Sequence, residues 1–144
     1  MNDRFKFRVW DKKSNNYIKV KMFFIDKFGE LFKYEQSKST VYINAPSPYV
    51  MCLCGDNYIV EQCTGLKDKN GRLIYEGDII VKSDVSAIGY SRTRVCKVHW
   101  HNDWLSWAIT TQYGDTYELS EFEPQQYEII GNIHENADLL ENEE

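Results

Sequence analysis

Short apolar segments of strand length run through most of the sequence, and turn-forming residues separate them. Residues 4–10 alternate basic and apolar side chains, which predicts a half-buried antiparallel strand with Phe5, Phe7 and Val9 facing inward. Arg4, Lys6 and Arg8 are then expected on the solvent face. Further strands are predicted at 17–25, 31–34, 41–43, 49–53, 58–62, 72–74, 77–81, 95–100, 105–111, 116–119 and 127–133. Strands this short, at this spacing, favour an all-β barrel or sandwich.

The connections carry their own signals. Asn70-Gly71 predicts a type I′ hairpin turn, because both central residues of that turn need a positive φ. The polar stretch Ser83 to Thr93 is predicted to be a loop. One helix is expected at the C-terminal end, with Asn136 as its N-cap and Leu139 and Leu140 docked on one face.

These elements predict a mainly β protein of two small antiparallel units. The first unit is expected to span residues 1–72 and the second, a barrel-like unit, residues 73–134. Residues 135–144 are expected to form a short helix and an acidic tail. The hairpin around residues 64–76 is the natural boundary, because it is rich in glycine and charge.

The formal net charge is −5, from 22 acidic and 17 basic residues. The acidic excess lies in the last ten residues, whereas residues 1–38 are locally basic. No apolar stretch is long enough for a transmembrane helix, and the charged N-terminus does not resemble a signal peptide. We therefore expect a cytoplasmic protein without membrane contact, in which the four cysteines are reduced thiols.

Metal binding and catalysis find little support in the residue spacing. Cys52, Cys54 and Cys63, with His99 and His101, lack the turn-separated pairs that zinc sites use. The carboxylates of Glu76 and Asp78 flank a glycine, and turn capping is the simpler interpretation of that pair. Since no hydrolase, metalloprotease or phosphate-loop motif is present, we expect no enzymatic activity, cofactor or bound metal.

Nucleic-acid binding is the alternative function that the charge pattern supports. The candidate contacts are basic residues of the N-terminal strand and of a second edge: Arg4, Lys6, Arg8, Arg92 and Arg94. Exposed rings such as Trp10, Tyr17, Trp104 or Tyr113 could stack on bases. The acidic pI argues against this function.

Ten Tyr, seven Phe and four Trp make the chain unusually aromatic. Trp100, Trp104 and Trp107 lie around one predicted hairpin, in which Leu105, Trp107 and Ile109 are expected to share a face. Trp107 is then expected in the core, and Trp104 at the turn is expected to be exposed. Trp104 and Tyr113 are the candidate protein interface, and a homo-oligomer that also contacts a protein partner is the favoured expectation.

Three blocks of the sequence resemble the YopX family of phage and prophage proteins: KFRVWDKKSNNYI at 6–18, TGLKDKNGRLIYEGDIIV at 64–81 and YEIIGNIHENADLL at 127–140. Ala137 stands where a proline is expected, which alters only the first turn of the helix. The resemblance implies a small, mostly β protein with a C-terminal SH3-like barrel, encoded by a bacterial virus or prophage and present in the bacterial cytoplasm. It implies no biochemical activity.

Overall fold

The computed structural model describes residues 6–19, 23–25, 31–35, 49–52, 56–85, 89, 91–119 and 124–141. Arg4, Phe5 and the predicted strand at 41–43 lie outside these residues. Strands account for most of the described residues, and they are antiparallel wherever their pairing is defined. The mainly β fold predicted from the sequence is confirmed.

The strands are β1 Phe7–Asp11, β2 Asn16–Tyr17, β3 Phe23–Ile25, β4 Leu31–Glu35, β5 Tyr49–Cys52, β6 Tyr58–Lys67, β7 Leu73–Tyr75, β8 Asp78–Val85, β9 Ser91–His101, β10 Ser106–Thr111, β11 Thr116–Glu118 and β12 Tyr127–Asn132. Short 3₁₀ helices follow at Pro124–Gln126 and Ala137–Leu140.

The chain divides into two compact units, one of residues 1–8 and 61–144 and the other of residues 9–60. The boundary that the sequence suggests after residue 72 stays a prediction.

In the first unit a five-stranded sheet has the order β11-β10-β9-β8-β12 and curls into a half-barrel. Its inner face carries the main core, because residues that face each other in register, such as Ile80 and Cys96, are both fully buried. Tyr127 of β12 closes this core, and its hydroxyl donates to the Leu119 carbonyl at 3.0 Å. The C-terminal part of the chain therefore contains the barrel-like sheet expected from the sequence.

The turn between β6 and β7 covers the outer edge of β12. The Lys69 N–H donates to the Tyr127 carbonyl at 2.9 Å, and the Asp68 carboxylate accepts the Ile129 N–H at 3.2 Å. Arg72 donates to the Ile129 carbonyl at 2.5 Å. An edge that would otherwise offer free peptide groups is thus satisfied within the unit.

The predicted type I′ geometry of this turn is wrong. Gly71 has a φ of 78°, but Asn70 is not among the residues with positive φ. The Gly71 N–H donates to the Asp68 carbonyl, and the Asp68 N–H donates to the Arg72 carbonyl. This is a three-residue hairpin loop with glycine at its left-handed position. The Asp68 carboxylate selects it by accepting the N–H groups of Asn70 and Arg72, both at 2.9 Å.

The second unit contains β1 from Val9 onward with β2, where Trp10 is paired with Tyr17, and the sheet β3-β4-β5. Val9 is fully buried against Ile18 and Tyr58. Trp10 is 2% exposed and meets the Tyr17 ring edge-on at 4.9 Å, so its predicted exposure is wrong. The Asp11 carboxylate accepts the Ser14 hydroxyl and the Lys13 N–H, which lowers the pKa of Asp11.

Two connections differ from expectation. Ser83, Asp84 and Val85 belong to β8 and pair with the start of β9, so the predicted loop from Ser83 to Thr93 is too long at both ends. The predicted C-terminal helix is a single 3₁₀ turn without buried residues, and the Asn136 side chain does not cap it. That side chain instead accepts the Asn132 N–H at 3.3 Å.

Candidate interaction surface

The end of the β9–β10 hairpin exposes the large apolar side chains of Trp100, Trp104 and Leu105. Together with the half-buried His101 they form what we call the aromatic tip. Trp100 is 42% exposed, Trp104 47% and Leu105 74%. The imidazole of His101 stacks on the Trp104 ring, with centroids 4.1 Å apart and planes 19° apart. Exposed rings held in place by a neighbouring ring are suited to contact a partner.

The tip lies at the end of a hairpin whose two strands are paired in register from His101–Ser106 to Cys96–Thr111. Trp100 faces Trp107 in register, and their rings meet edge-on at 5.3 Å. Trp107 packs against the main core, which anchors one side of the tip and confirms its predicted role. The Trp104 N–H lies 3.4 Å from His101 Nδ1. The predicted exposure of Trp104 at the turn is also confirmed.

Leu105 departs from the predicted strand. Its φ is 52°, a left-handed conformation that is costly for a residue with a branched side chain, and it lies in the turn before β10. It therefore does not share a strand face with Trp107 and Ile109. Burial does not compensate this backbone cost, because Leu105 is the most exposed of the large apolar residues that the structure describes.

The two residues predicted as a protein interface do not come together. Trp104 lies in the turn before β10, whereas Tyr113, 62% exposed, lies in the turn after it. The six residues of β10 separate them, which at the rise of a strand is about 20 Å. A single small contact could include one of them only.

The basic residues predicted to contact nucleic acid occupy different environments. Arg4 lies outside the described residues, and Lys6 and Arg92 are exposed. The side chain of Arg94 is 16% exposed and that of Arg8 is 22% exposed. The expected alternation along β1 is wrong, because Phe7 is 40% exposed while Arg8 turns inward. Binding of nucleic acid by these residues stays a prediction.

Arg8 turns inward because two buried carboxylates bind it. Its Nε donates to Glu61 Oε2 at 2.6 Å, and its Nη2 lies 2.7 Å from Asp78 Oδ1. On the other side of Glu61, His134 Nε2 lies 2.7 Å from Oε1. Each carboxylate is 2% exposed. This cluster links β1, β6, β8 and the turn after β12 within the first unit.

A glycine makes room for the cluster. Gly77 has a φ of 79°, and a Cβ at this position would lie 2.5 Å from Glu61 Oε1. Asp78 also accepts the Tyr75 N–H at 2.8 Å, which confirms the turn-capping interpretation of this carboxylate. Burial raises the pKa of Asp78 and that of the neighbouring Glu76.

The sequence interpretation missed Glu61 and His134. Glu61 could have been found from the sequence, because it is the one charged residue in the segment Tyr58 to Gly65, which includes the predicted strand at 58–62. A charge that is buried in such a strand needs a partner. His134 had no such signal, because a histidine in a turn after a strand is usually solvated.

The cysteines and histidines do not form a metal centre within the described part of the chain, where no group of three His, Cys, Asp or Glu side chains is arranged to hold a metal ion. Cys63 and Cys96 are buried, and burial raises the pKa of the Cys96 thiol to about 11. Cys52 lies in β5, and Cys54 lies outside the described residues. The expected absence of metal and cofactor stays a prediction.

The family model of the YopX protein matches residues 6–141 of the sequence. The chain belongs to the YopX family. This confirms the resemblance carried by the three sequence blocks, of which the second forms the Asp68 turn and the Gly77 turn.

Two solved structures have the same fold. Protein YopX from Bacillus subtilis has a TM-score of 0.62 and 21% identity, over 100% of both chains. Protein EF1440 from Enterococcus faecalis has a TM-score of 0.53 and 25% identity, over 94% of this chain and 97% of that one. No curated protein sequence matches the chain.

Among the described residues of this YopX-family chain, no helix is long and apolar enough to cross a bilayer.

Proposed function

We propose that this YopX-family protein is a non-enzymatic interaction module that self-associates through its aromatic tip. We further propose that it acts as an accessory protein of a phage or prophage in the bacterial cytoplasm, where it also contacts a host or phage protein. The exposure of the aromatic tip carries this proposal.

Tryptophan is the residue type most enriched among the anchors of protein interfaces. The aromatic tip presents two half-exposed tryptophans beside a leucine that is 74% exposed. A stable dimer buries about 1,600 Å² in total, so the tip would form the centre of an interface, with polar residues around it.

The backbone of the tip supports the same proposal. Leu105 combines a positive φ with high exposure, and neither feature stabilises the folded monomer. A strained residue of this kind is a reason to look for a function, because folding alone favours glycine or asparagine there. An apolar side chain at this position gains free energy only when a second surface covers it.

The N-terminal strand favours this proposal over nucleic-acid binding by the same strand. Arg8 is engaged by Glu61 and Asp78, so its charge is largely neutralised within the fold. A phosphate would have to compete with two buried carboxylates for this guanidinium.

Light scattering coupled to size exclusion tests the proposal over a series of protein concentrations. The wild type is expected to have a multiple of the 17.0 kDa chain mass, and Trp104→Ala is expected to shift it toward the monomer. Leu139→Ala is the matched control, because Leu139 is 37% exposed but lies outside the tip. Tyr113→Ala tests the second predicted interface residue.

A monomeric wild type at every concentration would overturn self-association. An equal loss of oligomer mass in Leu139→Ala would show that the aromatic tip is not the site of self-association. Capture of the same bacterial or phage protein by the wild type and not by Trp104→Ala would extend the role of the tip to a second partner.

A further inference from the structure

The inner face of the half-barrel carries a group of basic side chains beyond the main core, which we call the inner basic cluster: Lys82, Arg92 and Arg94, with Asp84 and Tyr117. Alternate residues of a strand share a face, so Arg92 and Arg94 lie on the same face of β9 as the core residue Cys96. Lys82 and Asp84 likewise share the face of Ile80 on β8.

The register brings these charges together. Lys82 faces Arg94 directly, and Asp84 faces Arg92. Like charges in directly opposed positions of a sheet destabilise the pairing. Lys82 is nevertheless only 3% exposed, and the side chain of Arg94 is 16% exposed.

Among the residues that the structure describes, Asp84 and Tyr117 moderate this repulsion. Lys82 forms an ion pair with Asp84 Oδ1, and Arg94 Nη2 lies 3.4 Å from Asp84 Oδ2. The Tyr117 ring lies under both cations, with its centroid 5.8 Å from Lys82 Nζ and 5.4 Å from the Arg94 guanidinium. Arg94 is therefore held in place by the carboxylate and the ring, with part of its guanidinium open to solvent.

We propose that the inner basic cluster binds a phosphate group, a function separate from self-association. Arg92 and Arg94 contact the phosphate, while the Lys82–Asp84 pair and Tyr117 position Arg94. Guanidinium groups are suited to this ligand because their fork of N–H donors matches two phosphate oxygens. The two arginines lie about 7 Å apart along β9, so both can reach one ligand or adjacent phosphates of a chain.

The curved sheet strengthens the attraction. Three cations against the single carboxylate of Asp84 leave an excess of positive charge in the cluster, and a concave surface concentrates the field of such an excess at its mouth. This local field acts against a chain whose formal net charge is −5, so binding is expected at short range and to weaken with salt.

The ligand has two possible sources, a small phosphate compound or the backbone of a nucleic acid, and two titrations of the full chain distinguish them. In the first, inorganic phosphate is added and the Nε–Hε resonances of the arginines are followed by NMR. In the second, a labelled single-stranded oligothymidylate is titrated at low salt and followed by fluorescence anisotropy.

Saturable shifts with inorganic phosphate alone would assign a small-compound site. Anisotropy changes that fall steeply with salt would assign a nucleic-acid backbone. Arg92→Gln with Arg94→Gln is expected to weaken either binding about tenfold or more. Lys97→Gln is the matched control, since Lys97 is an exposed base on the opposite face of β9, and it is expected to stay within about twofold.

Arg92→Gln alone keeps the test decisive if the double variant fails to fold, because Arg92 is exposed. Absence of saturation with both probes would overturn the proposal. Equal weakening by Lys97→Gln would also overturn it, since binding would then follow net charge and not the cluster. Neither result depends on the oligomeric state.

Discussion

Two hairpin turns of the half-barrel unit each need a residue with a positive φ, and they use opposite kinds of residue for it. The turn after β6 places Gly71 at a φ of 78°, and the turn after β9 places Leu105 at a φ of 52°. In the first turn the Asp68 side chain is fully buried and holds the loop together. In the second, Leu105 is exposed over 74% of its surface.

The stability of the folded monomer explains the residues of the first turn but not those of the second. Glycine adopts a positive φ at little cost, and the Asp68 carboxylate satisfies donors of two segments of the chain. In the aromatic tip, the positive φ of Leu105 is energetically unfavourable, and apolar surface is exposed to water. The tip therefore needs an explanation outside the monomer, which the proposed self-association supplies.

The largest expected effect comes from removing the carboxylate of the first turn. Asp68→Ala is expected to lower the free energy of unfolding by about 3 kcal/mol, because the Ile129 N–H and the Arg72 guanidinium lose a buried, charged acceptor. Urea unfolding at neutral pH measures this loss. Asp103→Ala, in the exposed turn of the tip, is the control and is expected to change stability by less than about 0.5 kcal/mol.

Equal losses of unfolding free energy in Asp68→Ala and Asp103→Ala would contradict the difference between the two turns, because the tip would then depend on its turn carboxylate as much as the first turn does.

Acid is expected to weaken the first turn in a smaller, graded way. Burial alone would raise the pKa of Asp68, but the N–H groups of Arg72 and Ile129 and the Arg72 guanidinium outweigh it, so the pKa is lowered. The folded state therefore binds this proton less readily than the unfolded state, in which the pKa is about 3.9. The stabilisation is complete above that value and is lost as the pH falls through the folded-state pKa.

Unfolding free energies of the wild type and Asp68→Asn, measured from about pH 6 to about pH 2, isolate this contribution. The difference between them is expected to shrink as the pH falls. Glu76 and Asp78 have raised pKa values and act in the opposite direction, but both proteins contain them, so their effect cancels. A difference that stays constant with pH would show that the Asp68 charge does not contribute.

Local sequence patterns predicted the strands and turns well, and contacts that charged side chains make in the folded chain account for the errors. Asn70-Gly71 correctly predicted a turn, but its type depends on the Asp68 carboxylate and on β12, which lies about sixty residues away in the chain. The segment 83–93 resembled a loop because Ser and Thr residues and a glycine are spread along it without a strict polar–apolar alternation. Its ends form strands, since residues 83–85 pair in register with residues 91–93, and Asp84 binds Lys82 and Arg94 within the sheet.

The candidate sites show the same limit. The sequence predicted an exposed Trp104 and a core-packed Trp107, because turn position and alternation determine both. It could not predict that Arg8 points inward, because its partners Glu61 and Asp78 come from distant strands. The positive φ of Leu105 could not be predicted from the sequence either, since no local pattern places leucine in a left-handed conformation.

The smallest expected effect has an unusual sign. Leu105→Asn is expected to raise the free energy of unfolding of the monomer by about 1 kcal/mol, because asparagine accepts a positive φ more readily than leucine. Urea unfolding at a concentration where the protein is monomeric measures this gain. The same variant is expected to weaken self-association in light scattering, because it removes the most exposed apolar side chain of the tip.

Gly71→Ala provides the matched control for the backbone. Its Cβ would meet no atom within 4 Å, so the expected loss of about 1 kcal/mol reflects the positive φ alone. If Leu105→Asn destabilised the monomer as Gly71→Ala does, the leucine side chain would be part of the fold. Opposite signs, with weaker association in Leu105→Asn only, would show that the tip keeps leucine at the expense of monomer stability. Self-association is then the state in which that leucine is stabilising.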